Sequence, residues 1–167
     1  LGLSKCLLLK TKLSNIKLLI LDVDGTMTDG GIYITDEGNQ FKKYNAKDGL
    51  GIMMAQKQGV EVGIISHSRS AEMVEKRAEM IGIKYCYVGR ESKALILDQW
   101  CEANSWKKEE VAFIGDDLND LDIMEQVGVT ACPSDAVEKI KEFVDVKLSK
   151  KGGDGCVREF IDLYLLS

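Results

Sequence analysis

Leu19-Ile20-Leu21-Asp22-Val23-Asp24-Gly25-Thr26-Met27-Thr28 is the stretch from which the fold can be read. An apolar run ends abruptly in two carboxylates, Asp22 and Asp24, separated by one valine. A run with no polar face suits a central strand of a parallel sheet, covered on both sides. In extended chain, residues two apart project to the same side, so Asp22 and Asp24 are expected to converge. Gly25 then permits a sharp turn and a close approach of backbone to a ligand. The carboxyl ends of central strands are where open α/β sheets place their chemistry. Taken alone, the acid pair fits equally well a strand end that simply opens a turn.

The chain downstream repeats one pattern. Strands are expected at 17–23, 60–65, 83–88, 111–115, 129–132 and 145–148. Helices are expected from Asp48, as N-cap, to Gln58, and at 70–81, 92–104, 118–127, 136–143 and 157–166. Such alternation implies βαβ units, right-handed crossovers and a parallel sheet with helices on both faces, a Rossmann-like three-layer α/β fold. Between the first strand and the first of these helices, 32–35 and 40–44 flank Asp36-Glu37-Gly38-Asn39 and read as a protruding β-hairpin. Residues 1–16 read as a lead-in segment, a short helix or a linker, and 17–167 as a single domain.

Composition narrows the function classes. With 167 residues, 45% of them hydrophobic, the chain can bury a full core without disulfides. A net charge of -5 argues against a phosphate-backbone binder, so no nucleic-acid partner is expected. No stretch is long enough to span a bilayer, and none has the layout of a secretory signal. The cysteines, Cys6, Cys86, Cys101, Cys132 and Cys156, are odd in number and form no CxxC pair, which fits a reducing cytoplasm.

The strand ends carry the chemistry. The first two strands close on Asp22 and Ser66, and the fourth on Gly115-Asp116-Asp117-Leu118-Asn119-Asp120, while Lys93 opens a helix between them. In a parallel sheet these ends share one edge, so acids, a hydroxyl and an amine can meet in one crevice. Each type has a task in phosphoryl transfer. A carboxylate attacks phosphorus, and a second acid protonates the leaving alkoxide and then takes a proton from water. Mg²⁺ takes hard carboxylate oxygens, while a lysine and a hydroxyl hold phosphoryl oxygens. The plainer alternatives are a helix cap for some of the acids, an exposed helix lysine for Lys93 and a polar surface role for the single histidine, His67.

Asp22-Val23-Asp24-Gly25-Thr26, then Ser66, Lys93 and Gly115-Asp116-Asp117-Leu118-Asn119-Asp120, in this order and spacing, resemble the four motifs of the haloacid dehalogenase superfamily of phosphatases. The resemblance implies Asp22 as nucleophile and Asp24 as general acid/base. It implies Mg²⁺ on Asp22, the Asp24 carbonyl and Asp116, with Ser66 and Lys93 on the phosphoryl group and Asp117 and Asp120 in support. Thr28-Asp29-Gly30, Asn45-Ala46-Lys47-Asp48-Gly49 and Lys151-Gly152-Gly153-Asp154-Gly155-Cys156-Val157-Arg158-Glu159-Phe160 are similar to the capless phosphatases of octulosonate 8-phosphate and nonulosonate 9-phosphate sugar acids. Such enzymes serve lipopolysaccharide or sialic acid biosynthesis. The same module forms the C-terminal domain of some acylneuraminate cytidylyltransferases, and a chain that starts at Leu1 is compatible with that source.

The turn Ser66-His67-Ser68-Arg69-Ser70 departs from this pattern, which has glycine where His67 stands and one residue fewer. It lies where specificity for the sugar is expected, with Arg69 as a substrate-binding candidate. Neither 27–48 nor 66–93 has room for a cap domain. The resemblance therefore implies a homotetramer in which hairpin 32–41 covers a neighbour's site. Arg158, after the glycine-rich turn, is expected to reach the substrate carboxylate. Two rivals stand beside this reading: a non-catalytic assembly domain of a cytidylyltransferase, and a phosphatase of another small metabolite.

Overall fold

The structure, a computed structural model, describes residues 2–166. In chain order the elements are α1 (Gly2–Ser14), β1 (Leu18–Leu21), β2 (Tyr33–Ile34), β3 (Gln40–Phe41), α2 (Ala46–Lys57), β4 (Glu61–Ser66), α3 (Ala71–Met80), β5 (Tyr85–Val88), α4 (Lys93–Asn104), β6 (Val111–Ile114), α5 (Leu121–Met124), β7 (Val129–Cys132), α6 (Glu138–Phe143), β8 (Val146–Lys147) and α7 (Cys156–Phe160). Six strands form one parallel sheet in the order β5-β4-β1-β6-β7-β8, and β2 and β3 form a separate antiparallel hairpin.

β1 is central because all four of its residues are apolar and all are fully buried. Its alternation feeds two cores. Leu19 and Leu21 join Ile52, Val74, Ala78, Val157 and Phe160 on the face covered by α2, α3 and α7. Leu18 and Ile20 join Ile96, Leu97, Phe113, Ile123 and Ile140 on the face covered by α4, α5 and α6. The strand order reverses at β1: the chain runs outward through β4 and β5, then returns to β6 on the other side. That reversal opens a crevice at the carboxyl end of β1.

Several sequence expectations are revised. The first helix of the alternation starts earlier, because Asn45 rather than Asp48 is its cap: the Asn45 side chain accepts from the Lys47 and Asp48 amides. The helix expected over 118–127 is a 3₁₀ turn, Leu118–Asp120, followed by the short α5. Asp117 and Asp120 accept local amides there, which favours the tight turn over a regular helix. The lead-in forms α1, whose Leu13 is buried while Leu3, Leu7 and Leu8 are exposed. Among the described residues no helix is long and apolar enough to cross a membrane.

The glycine-rich tail is not a loose turn. Gly152 and Gly153 are buried against the turn that follows β1. A Cβ on Gly152 would stand 1.8 Å from the Gly25 carbonyl oxygen, and one on Gly153 would stand 2.4 Å from the Asp29 nitrogen. The Gly153 amide and the Cys156 thiol both donate to the Thr26 carbonyl, at 3.0 and 3.3 Å. The last helix therefore clasps the loop that carries the acid pair. Asp48 fastens the same tail by accepting the Arg158 amide at 2.8 Å.

Two outcomes follow from this clasp. Gly152→Ala forces backbone against backbone, so it should cost at least about 2 kcal/mol, read as a lower Tm. An unchanged Tm would show that the clasp yields freely. Asp48 is pushed up to about 6, first by burial and also by Asp154, against the Arg158 and Val157 amides and the Arg77 cation. Its folded value lies above its unfolded one, so its contribution is fully present below about pH 4 and lost as pH rises through about 6. Asp48→Asn removes that loss. Measured by urea unfolding, the variant should gain up to about 3 kcal/mol relative to wild type between pH 4 and pH 8. Parallel profiles would contradict the assignment.

Candidate active site

β1 and β6 pair with Leu21 opposite Ile114, and the Asp22 amide donates to the Ile114 carbonyl at 3.0 Å. Asp22 and the Gly115–Asp120 turn thus leave the sheet side by side. On the other flank Leu21 pairs with Ile64, which puts the end of β4, Ser66, beside the same crevice. Beyond Asp22 the chain turns at once through Gly25, whose φ of +89° favours glycine. A Cβ there would also stand 2.0 Å from an Asp116 carboxylate oxygen, so glycine is needed on both counts.

Lys93 is the centre of this arrangement. As the first residue of α4 it is fully buried, and its ammonium lies 2.7 Å from Asp22 Oδ1 and 2.6 Å from Asp120 Oδ1. Its third N–H is left for a ligand. The start of α4 is set by Asp122, which accepts the Ser92 hydroxyl at 2.7 Å and the Ala94 amide at 3.4 Å. Burial acts to lower the Lys93 pKa, but Asp22 and Asp120 outweigh it and raise it, so the ammonium stays charged.

One ammonium does not neutralise three carboxylates. Asp22, Asp116 and Asp120 offer oxygens that all lie within 4.8 Å of one another. Asp116 is pushed up to about 8, first by burial and then by repulsion from Asp22 and Asp120. Asp120 is pushed up to about 6, again by burial and then by Asp22, with Lys93 pulling the other way. A hard divalent cation relieves this crowding, so the donor set fits Mg²⁺. Asp120 has both oxygens engaged, Oδ1 by Lys93 and Oδ2 by the Asp116 and Asp117 amides. Asp22 and Asp116 are therefore better placed as ligands, and Asp120 holds the others in position. Asp117 is exposed and accepts its neighbour Leu118's amide.

The remaining sequence candidates lie around this centre. Ser66 is buried, and its hydroxyl accepts the Ser68 amide at 3.0 Å. The Asp24 carboxylate is exposed and does not join the acid cluster. It is paired instead with Lys42, at 2.5 Å. Arg69, His67, Ser68, Gly89 and Arg90 line a cavity of about 580 Å³ at the ends of β4 and β5. The two loops are joined there by a contact of 2.9 Å between His67 Nε2 and the Glu91 carbonyl. Arg158 is not directed into the cluster: its Nε donates to both oxygens of Asp162, each at 2.8 Å.

Two contributors escaped the sequence reading. Lys42 shows only as one of several lysines, directly after the hairpin's second strand. The glycine clasp is signalled by Gly152-Gly153 alone, and a glycine pair reads equally well as flexibility.

The comparisons agree with this geometry. A family model described as haloacid dehalogenase-like hydrolase matches residues 87–161. The 3-deoxy-D-manno-octulosonate 8-phosphate phosphatase KdsC of Salmonella typhi is 41% identical over 157 residues, covering 94% of this chain and 83% of that protein. The crystal structure of the Yersinia pestis 3-deoxy-D-manno-octulosonate 8-phosphate phosphatase superposes with a TM-score of 0.91 at 38% identity, covering 95% of this chain and 85% of that one. The corresponding Moraxella catarrhalis enzyme, solved in complex with magnesium ion, phosphate ion and KDO, gives a TM-score of 0.89 at 33% identity, with 94% and 90% covered. With the sheet order, the acid cluster and these relatives together, the chain belongs to the haloacid dehalogenase-like hydrolases, in the group of the 3-deoxy-D-manno-octulosonate 8-phosphate phosphatases.

Proposed function

We propose that this protein hydrolyses the phosphomonoester of a 2-keto-3-deoxy sugar acid, 3-deoxy-D-manno-octulosonate 8-phosphate before nonulosonate 9-phosphate, with Mg²⁺ as cofactor. The observation that carries the reading is the buried Lys93 ammonium shared by Asp22 and Asp120, with Asp116 at the same point. The Salmonella typhi and Moraxella catarrhalis relatives support the substrate class, and the latter supports the metal.

Asp22 is the nucleophile. Its carboxylate forms a bond to phosphorus as the bond to the sugar oxygen breaks, giving an aspartyl-phosphate. Asp24 gives its proton to the departing alkoxide, then takes one from the water that attacks the aspartyl-phosphate. Lys93, through its remaining N–H, and Ser66 hold phosphoryl oxygens. Asp22, Asp116 and the Asp24 carbonyl would hold Mg²⁺, which when bound offsets the repulsion between an anionic nucleophile and an anionic substrate. Asp120 supports Lys93, and Asp117 supports the turn. For the sugar carboxylate we assign Arg69, at the cavity past the ends of β4 and β5, and Arg158, whose Nε is paired with Asp162.

The hairpin supports the assembly. Ile32, Ile34 and Phe41 are 79%, 59% and 54% exposed, too much apolar surface for a hairpin of two-residue strands to leave in water. A homotetramer that packs hairpins together covers it and walls the neighbour's crevice. We assign residues 17–167 to the phosphatase domain, with 1–16 leading in, and place its work in the cytoplasm, where its five free thiols are at home.

Asp22→Asn should keep the fold and lose turnover by at least about 10³-fold, measured as phosphate release from the octulosonate ester. Near-normal kcat would sink the covalent route. Chelator should abolish turnover and Mg²⁺ restore it, and full activity in metal-free protein would rule the metal out. Comparing kcat/KM for eight- and nine-carbon sugar acid phosphates tests the substrate. Ile34→Asp with Phe41→Asp should reduce the mass seen by light scattering to a monomer and lower kcat/KM together. A monomer with full activity would end the shared-site idea.

A further inference from the structure

We infer that Lys42 is the positioning residue for the acid/base Asp24, and that through it the hairpin sets where that acid stands. The inference rests on the phosphatase reading above. Lys42 follows β3 directly, and its ammonium lies 2.5 Å from Asp24 Oδ1. The lysine side chain is only 12% exposed, whereas its aspartate partner is 47% exposed. That ordering is unusual for a surface pair, in which the long flexible lysine is the freer member. Lys42 stands, with Tyr44 and Arg77, on the wall of the cavity of about 840 Å³ between the hairpin and α3. The cation is therefore held, and it holds the carboxylate.

The mount of Lys42 is the hairpin, not the sheet. Tyr33 stacks on Phe41 with ring centroids 5.0 Å apart, and its hydroxyl donates to Asp29. A single bridge between Thr28 and Tyr44 closes the base. Asp24 itself sits in the turn after β1, so it is gripped from the sheet through its backbone and from the hairpin through its side chain. Asp22 and Lys93, by contrast, are held by each other, by Asp120 and by the Ile114 carbonyl, which lie in the sheet and its edge and not in the hairpin. Loss of Lys42 should therefore impair the proton step and leave attack on phosphorus intact.

Esters that differ in their need for a proton separate the two. An alkyl leaving group needs the acid, whereas p-nitrophenolate leaves with little help. Lys42→Gln should lower kcat/KM on 3-deoxy-D-manno-octulosonate 8-phosphate by about 10- to 100-fold, but on p-nitrophenyl phosphate by no more than about threefold. Lys42→Arg, which keeps the charge at nearly the same reach, should recover most of the loss. In an Asp24→Asn background, Lys42→Gln should add no further loss on the octulosonate ester. Equal losses on both esters, or additive losses in the double variant, would show a general structural role and overturn the inference, as would wild-type activity in Lys42→Gln. A wild-type protein that turns over neither ester would instead overturn the phosphatase reading itself.

Discussion

A lysine with no exposed surface, bonded to two carboxylates, is the constraint on which the rest of this structure depends. Withdrawing three charges from water is costly, and the mutual attraction repays it only when the geometry is good and the other lone pairs are satisfied. Each neighbouring element supplies part of that geometry. β1 delivers Asp22, the 3₁₀ turn after β6 delivers Asp120 with two amides on its second oxygen, and Asp122 anchors the first turn of α4 so that Lys93 enters at the right height. The order β4-β1-β6 is what puts these ends in reach of one another. The charges that remain uncompensated are those that a metal and a phosphoryl group would complete.

The surrounding glycines follow from the same crowding. Gly25 and Gly115 each lie where a Cβ would strike a carboxylate of the cluster, at 2.0 and 2.3 Å. Backbone has been drawn as close to the acids as atoms allow, which leaves space for small ligands but none for side chains. Among the described residues no cap domain is inserted between β1 and α2 or between β4 and α4, and the assembly proposed above would cover the crevice with hairpins instead.

The central strand, the sheet and the residues on its edge were legible in the sequence because they are local. Asp22, Ser66, Lys93, Asp116 and Asp120 each stand at the end of a hydrophobic run or the start of a helix, and the parallel topology alone gathers them. What was not legible depends on partners distant in sequence. Asp48 looks like a helix cap until Asn45 is seen to do that work and Asp48 to bind the tail. Gly152 looks flexible until the Gly25 carbonyl is found against it. Arg158 looks unpaired until Asp162, one helical turn on, is seen to accept its Nε–H. The acids of 116–120 do cap, as their plainer reading had it, and they also form the site; the two readings are not exclusive.

The clasp between the tail and the acid-bearing turn ties together chain positions 130 residues apart, from Cys156 to Thr26. The entropy cost of closing a loop grows only slowly with its length, but a contact between positions so far apart in sequence forms slowly. The turn that carries the acid pair is therefore completed by a contact of high sequence separation, unlike the local turns and caps around it.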